Sequence, residues 1–116
     1  MAGGGGADAF VYLALSDSGL GAAMRDMIAD FGQLFTPGRD RIDLSAIDAT
    51  PDGFDTAFYF SASGPRNNAV WVKPTGEFSA TVFVEGTGDG AADMAIDVLF
   101  WDVATAQGFG AADFVL

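Results

Sequence analysis

The residues of this chain best suited to chemistry are aspartates set among glycines. Gly3-Gly4-Gly5-Gly6-Ala7-Asp8-Ala9-Phe10-Val11 fits the nonapeptide Gly-Gly-x-Gly-x-Asp-x-apolar-x at every fixed position. Tandem copies of that pattern build a parallel β-roll that holds calcium in its turns. Glycine opens backbone conformations closed to other residues, so carbonyl oxygens can turn inward. Asp8 adds a hard anionic oxygen, the ligand type calcium prefers, and Phe10 takes the position that points into the roll. A flexible glycine tract accounts for the four consecutive glycines equally well, so both readings stand at this point.

A second oxygen-rich loop runs from Glu85 through Gly86-Thr87-Gly88-Asp89-Gly90 to Asp93. Its side chains match several positions of an EF-hand loop, but Ile96 stands where a bidentate Glu is needed, so a plain hairpin turn is the better reading. Asp43 with Asp48, or Asp52 with Asp55, could in principle serve as a glycosidase carboxylate pair; turn and solvation roles explain them better. The chain has no His and no Cys. Neither a Ser/His/Asp nor a Cys/His set can be assembled, and disulfides, thiolate sites and the commonest zinc ligand are excluded. Trp71 and Trp101, with Tyr59, could form an aromatic platform for sugar rings or a partner. Core packing is the plainer account, because Trp71 lies in Val70-Trp71-Val72 and Trp101 follows Leu99-Phe100.

The elements that position these residues read as short strands between tight turns. Half of the 116 residues are hydrophobic, eleven of them Phe, which is too apolar for a disordered tail. Sixteen Gly with four Pro call for many turns and few long helices. Strands are expected at 9–15, 41–44, 56–61, 69–73, 78–85 and 95–101, with a last one at Phe114-Val115-Leu116. Thr36-Pro37-Gly38-Arg39-Asp40, Ser63-Gly64-Pro65-Arg66-Asn67-Asn68 and Pro74-Thr75-Gly76 are expected turns. Over Ala22 to Phe31 the periodicity admits either a helix or a strand: Met24, Met27, Ile28 and Phe31 fall at helical spacing, while Met27, Ala29 and Phe31 alternate. Such short strands with frequent turns suit a β-sandwich or a roll, in one domain.

Sixteen Asp and Glu against five Lys and Arg give a formal net charge of −11. That surface repels phosphate backbones and anionic lipid, so nucleic acid is not an expected partner. Carboxylates in such excess are either solvated or neutralised by metal, and many here sit beside Gly in turn-like contexts. No apolar run approaches the ~20 residues needed to span a bilayer, so no membrane insertion is expected. The first residues lack the basic and apolar regions of a secretory signal, so any export address is expected elsewhere.

Longer runs carry a resemblance. Gly6-Ala7-Asp8-Ala9-Phe10-Val11-Tyr12, Ser16-Asp17-Ser18 and Arg25-Asp26-x-Ile28-x-Asp30-Phe31, in that order, resemble the C-terminal region of serralysin-type metalloproteases and other RTX exoproteins. So do Gly38-x-Asp40-Arg41-Ile42-Asp43-Leu44-Ser45-Ala46-Ile47-Asp48, the most specific segment, and Gly88-Asp89-Gly90-x-Ala92-Asp93. The terminal Ala111-Ala112-Asp113-Phe114-Val115-Leu116 completes the likeness, which spans Gly3 to Leu116; residues 50–85 match only in strand pattern.

The resemblance implies an all-β fold: the end of a parallel β-roll, one nonapeptide turn, over residues 1–31, capped by a β-sandwich-like part over 32–116. It implies that Ala22 to Phe31 is extended. It implies Ca2+ held by Asp8 with the carbonyls of Gly3 and Gly5, and a final site completed by Asp17 and Asp26. Turn capping by Asp17 and a solvated Asp26 are the alternatives. It also implies that Asp113-Phe114-Val115-Leu116 is the uncleaved signal read by a type I secretion (ABC transporter) apparatus of a Gram-negative bacterium. On this reading the chain is secreted and non-catalytic, and its partner is the upstream β-roll and catalytic region of a parent protein. The alternative is a carbohydrate- or protein-binding β-sandwich module.

Overall fold

The computed structural model describes residues 9–13, 19, 25–31, 41–47, 58–86, 91–100 and 109–116. The strands among them are β1 (Ala9–Val11), β2 (Asp26–Phe31), β3 (Arg41–Asp43), β4 (Tyr59–Phe60), β5 (Ala69–Gly76), β6 (Ser79–Val84), β7 (Met94–Phe100) and β8 (Phe114–Val115); a single 3-10 turn at Ala111–Asp113 precedes β8. The expected all-β fold is therefore the observed one. Asp26–Phe31 is a strand rather than a helix, and it buries Ile28 while Met27 is exposed, so the inward face is not the one that the Met27 alternation suggests.

Two sheets form. The smaller has the order β1-β3-β8, and both of its pairings are parallel. Its register aligns Phe10 with Ile42 and Ile42 with Phe114. Backbone bonds carry this ladder past the strands: Tyr12 N–H donates to the Asp43 carbonyl at 3.0 Å, and Leu44 N–H to that of Val115 at 2.9 Å. The larger sheet has the order β2-β7-β6-β5-β4; β2 with β7 and β4 with β5 are parallel, and the central pairs are antiparallel.

The β5–β6 hairpin turns later than its sequence suggests. Pro74-Thr75-Gly76 does not break the chain but completes β5, and the turn falls at Glu77 and Phe78. Glu85 N–H bonds the Ala69 carbonyl, which sets the alternation along this antiparallel pair. Val70, Val72 and Pro74 are then the positions whose backbone groups face away from β6. Pro74 has no N–H to offer, and at this position β6 asks for none.

Alternation decides the core. Val70, Val82, Val84, Met94, Ile96 and Val98 are buried on one face of the larger sheet, where Ile28 joins them from β2. Phe10, Tyr12, Ile42, Leu44 and Phe114 of the smaller sheet and its extensions belong to the same cluster. Two sheets sharing one apolar core is the layered solution open to strands that are apolar on one face. Phe114 lies at the junction: its ring centroid is 5.6 Å from Phe60 and 5.4 Å from Phe109, which meets Phe100 edge-on at 4.9 Å. Aromatic pairs at these separations add to the area they bury.

Candidate calcium and export residues

Of the five residues expected to hold calcium, Gly3, Gly5, Asp8 and Asp17 lie outside the described residues, and Asp26 lies within them. Asp26 opens β2 and pairs with Ile96, two residues before the fully buried Ile28. Residues two apart in a strand share a face, so Asp26 points toward the smaller sheet. There its Oδ2 accepts the phenolic O–H of Tyr12 at 3.0 Å, and its Oδ1 accepts Met27 N–H at 3.0 Å. Tyr12 is 1% exposed. Sequence reasoning did not single it out, although the Phe10-x-Tyr12 alternation marks it as facing inward. The Asp26 carboxylate offers hard oxygens of the kind calcium takes. Among the described residues no three His, Cys, Asp or Glu gather into a group able to hold a metal ion.

The most specific segment of the sequence is organised around Asp43. Its Oδ1 accepts both Ser45 N–H at 2.9 Å and Ser45 Oγ–H at 2.6 Å. These two bonds, the hydroxyl one foremost, hold its carboxyl below the usual carboxylate range against a small opposing effect of burial. They fix the chain as it leaves β3, so that Leu44 and Ile47 enter the core and Ile47 N–H reaches the Leu44 carbonyl at 3.0 Å. Asp43 is thus a turn-forming residue; Asp48, Asp52 and Asp55, the other candidates for a carboxylate pair, lie outside the described residues.

At the C terminus, Asp113 is 2% exposed. Its Oδ2 accepts Gly110 N–H at 2.9 Å, and its own N–H donates to the Gly110 carbonyl at 2.9 Å. This reciprocal pair closes the 3-10 turn and delivers the chain into β8 at the edge of the smaller sheet. Phe114 turns into the core, Val115 is exposed, and Leu116 packs partly against the core. The four residues expected to be an export signal are therefore built into the folded end of the sheet.

Residues 85–93 connect β6 to the antiparallel β7, and Thr87, Gly88, Asp89 and Gly90 among them lie outside the described residues. Glu85 is fully buried and accepts Asn68 N–H, while Asp93 Oδ2 accepts Gly86 N–H at 2.8 Å. Of the aromatic platform, Trp71 is buried and stacks on Phe83 with ring centroids 5.9 Å apart, whereas Tyr59 is exposed. Trp101 lies outside the described residues. The outer face around Trp71 holds a polar set that the sequence did not announce: Asp97 Oδ1 takes Thr81 Oγ–H at 2.8 Å and Arg25 at 3.3 Å, and the Arg25 guanidinium lies 5.8 Å from the Phe83 ring centre.

A family model described as the serralysin C terminal of peptidase M10 matches residues 2–116. No curated protein matches the chain. Serralysin-type proteins are secreted and bind calcium, and this family is the non-catalytic region at their C-terminal end. Among the described residues no helix is long and apolar enough to cross a membrane. With a match over essentially its whole length, the chain belongs to the serralysin C-terminal family, a C-terminal module of RTX-type proteins.

Proposed function

We propose that this module caps the end of a calcium-binding parallel β-roll and carries, in Asp113-Phe114-Val115-Leu116, the signal for type I export. The observation that carries the reading is the parallel stack of β1, β3 and β8 with Phe10, Ile42 and Phe114 in line. A parallel roll ends in an apolar rung and an open strand edge, both of which favour pairing with other chains unless covered. Here β1 and β2 each lie at an edge of their sheet. Preceding turns of a roll could add to those edges, while β3, β8 and β7 cover the far side.

Asp8, with the carbonyls of Gly3 and Gly5, would share calcium with a preceding repeat, and Asp17 and Asp26 would complete the last site. Calcium would supply the positive charge that lets these carboxylates approach. A net charge of −11 keeps such a chain loose where calcium is scarce. Where calcium is plentiful, an ion bound only by the folded form stabilises that form by mass action. The cap then gives the roll a finished end from which order spreads.

The test is to fuse three consensus nonapeptides ahead of Met1 and follow folding by circular dichroism as calcium is added. The fusion is expected to fold at lower calcium, and more cooperatively, than the same repeats alone. Equal calcium responses with and without residues 1–116 would refute the capping role.

A further inference from the structure

We propose that the outer face of β5 is a docking site for an extended acidic peptide with a central apolar side chain, separate from the calcium and export residues. Three observations meet there. First, β4 pairs only with Ala69 and Val70, so from Trp71 to Gly76 β5 has no strand beside it on that side among the described residues. Val72 N–H and C=O and the Pro74 carbonyl face that side, as the alternation with β6 requires. Second, a cavity of about 450 Å³ opens beside this edge, walled by Gly64, Pro65, Trp71, Lys73, Pro74 and Phe83. Its volume lies in the range of roughly 300–1,000 Å³ typical of ligand pockets. Third, Lys73 is the charged group in its wall, and the exposed Arg66 follows Pro65, on a chain with only five Lys and Arg.

An extended peptide satisfies all three. Added antiparallel to β5, its residue opposite Val72 exchanges two backbone bonds, and the Pro74 carbonyl accepts a third, the pattern of strand addition. The next side chain along the peptide then falls on the face of Trp71 and Lys73 and enters the cavity. Lys73, in the cavity wall, selects an acidic neighbour beside it, a local preference on a chain of net charge −11. The missing N–H of Pro74 limits the addition to a few residues, and so discourages open-ended pairing between sheets. A sugar ring fits less well. Trp71 is 6% exposed with its ring stacked on Phe83, so its face is taken. Of the wall side chains, only Lys73 and the indole N–H of Trp71 can hydrogen-bond, whereas sugars demand many hydrogen bonds.

The experiment uses the full chain and a fluorescein-labelled Glu-Val-Trp-Val-Glu peptide, read by anisotropy and by amide NMR shifts. Binding is expected to perturb Gly64, Val72, Lys73 and Phe83 selectively. It should weaken at least tenfold in Lys73→Glu, whose exposed side chain leaves the core intact, and at least fivefold with the Gln-Val-Trp-Val-Gln peptide. Calcium at millimolar concentration should leave it unchanged, which separates this site from the capping function. No binding up to millimolar peptide, shifts elsewhere on the molecule, or equal binding by Lys73→Glu would overturn the proposal. So would the same resonances moving with neutral oligosaccharide or with protein concentration alone.

Discussion

The phenolic O–H of Tyr12 donates to Oδ2 of Asp26 across the gap between the two sheets, at 3.0 Å. Tyr12 extends β1, the edge strand of the smaller sheet, and Asp26 begins β2, the edge strand of the larger one. One hydrogen bond therefore ties the two edges on which the capping reading depends. Tyr12→Phe keeps the buried ring and removes only the donor. It is expected to lower stability by about 1.5–3 kcal/mol, the net worth of a bond to a charged acceptor, as a reduced urea midpoint with an unchanged slope. Asp26→Ala should cost at least as much, because the buried phenol loses its partner. A double-mutant cycle should show the two changes to be non-additive. Additive effects would mean that the contact contributes nothing.

The Asp43–Ser45 turn predicts a pH dependence with a definite sign. The folded state holds the Asp43 carboxyl below its ordinary value through its bonds to Ser45. Its contribution is therefore complete above the unfolded carboxylate pKa of about 3.9 and is lost as pH falls through the lower folded value. Ser45→Ala, which removes the hydroxyl donor and leaves the backbone one, should destabilise the module by about 0.5–1 kcal/mol at neutral pH. The gap between the two proteins should close at acid pH. A gap that persists to pH 2 would assign the effect to something other than this carboxylate.

Calcium affinity of the isolated chain follows from the number of nonapeptides. The sequence holds a single copy, and a roll shares each ion between successive turns. Titration calorimetry on residues 1–116 is expected to find dissociation constants in or above the ~10⁻⁴–10⁻³ M class of extracellular modules. Asp26→Asn should weaken even that. Micromolar binding would place a complete site within this chain and would require ligands other than those named.

How much of this was legible beforehand differs between the fold and the site. β3 announced itself by the alternation Arg41-Ile42-Asp43-Leu44, and β6 and β7 as short apolar runs bounded by turn residues. Pro74 misled, since proline usually ends a strand; at a position facing away from β6 its missing N–H costs that pairing nothing. The parallel register of Phe10, Ile42 and Phe114 could not be read, because these residues are tens of positions apart and nothing local fixes which strands will be neighbours. The same holds for Tyr12 and Asp26. Each was individually recognisable, one as inward-facing and the other as acidic, but only the approach of two sheets makes them partners. The outer-face set of Arg25, Thr81 and Asp97 was invisible for that reason too.

On the proposed reading, export and folding draw on the same C-terminal residues. Phe114 is 8% exposed and packs against Phe60 and Phe109, and Asp113 is closed on Gly110. A transporter reading these side chains, as proposed, would have to meet them before β8 has paired, while the chain is unfolded. Phe114→Ala should therefore cost about 3–5 kcal/mol of stability, whatever it does to recognition, and by itself cannot separate the two roles. Val115 separates them. Its side chain is exposed beside the buried Phe114 and in register with Asp43, so Val115→Lys, which sets an opposite charge beside that carboxylate, should shift stability by no more than about 0.5 kcal/mol. In cells with a type I transporter, that variant is expected to be retained, as is the chain lacking Phe114 to Leu116. Secretion of the truncated chain at the wild-type level would sink the signal reading. Loss of export in Val115→Lys with its fold intact would tie export to the residues themselves rather than to the stability of the cap.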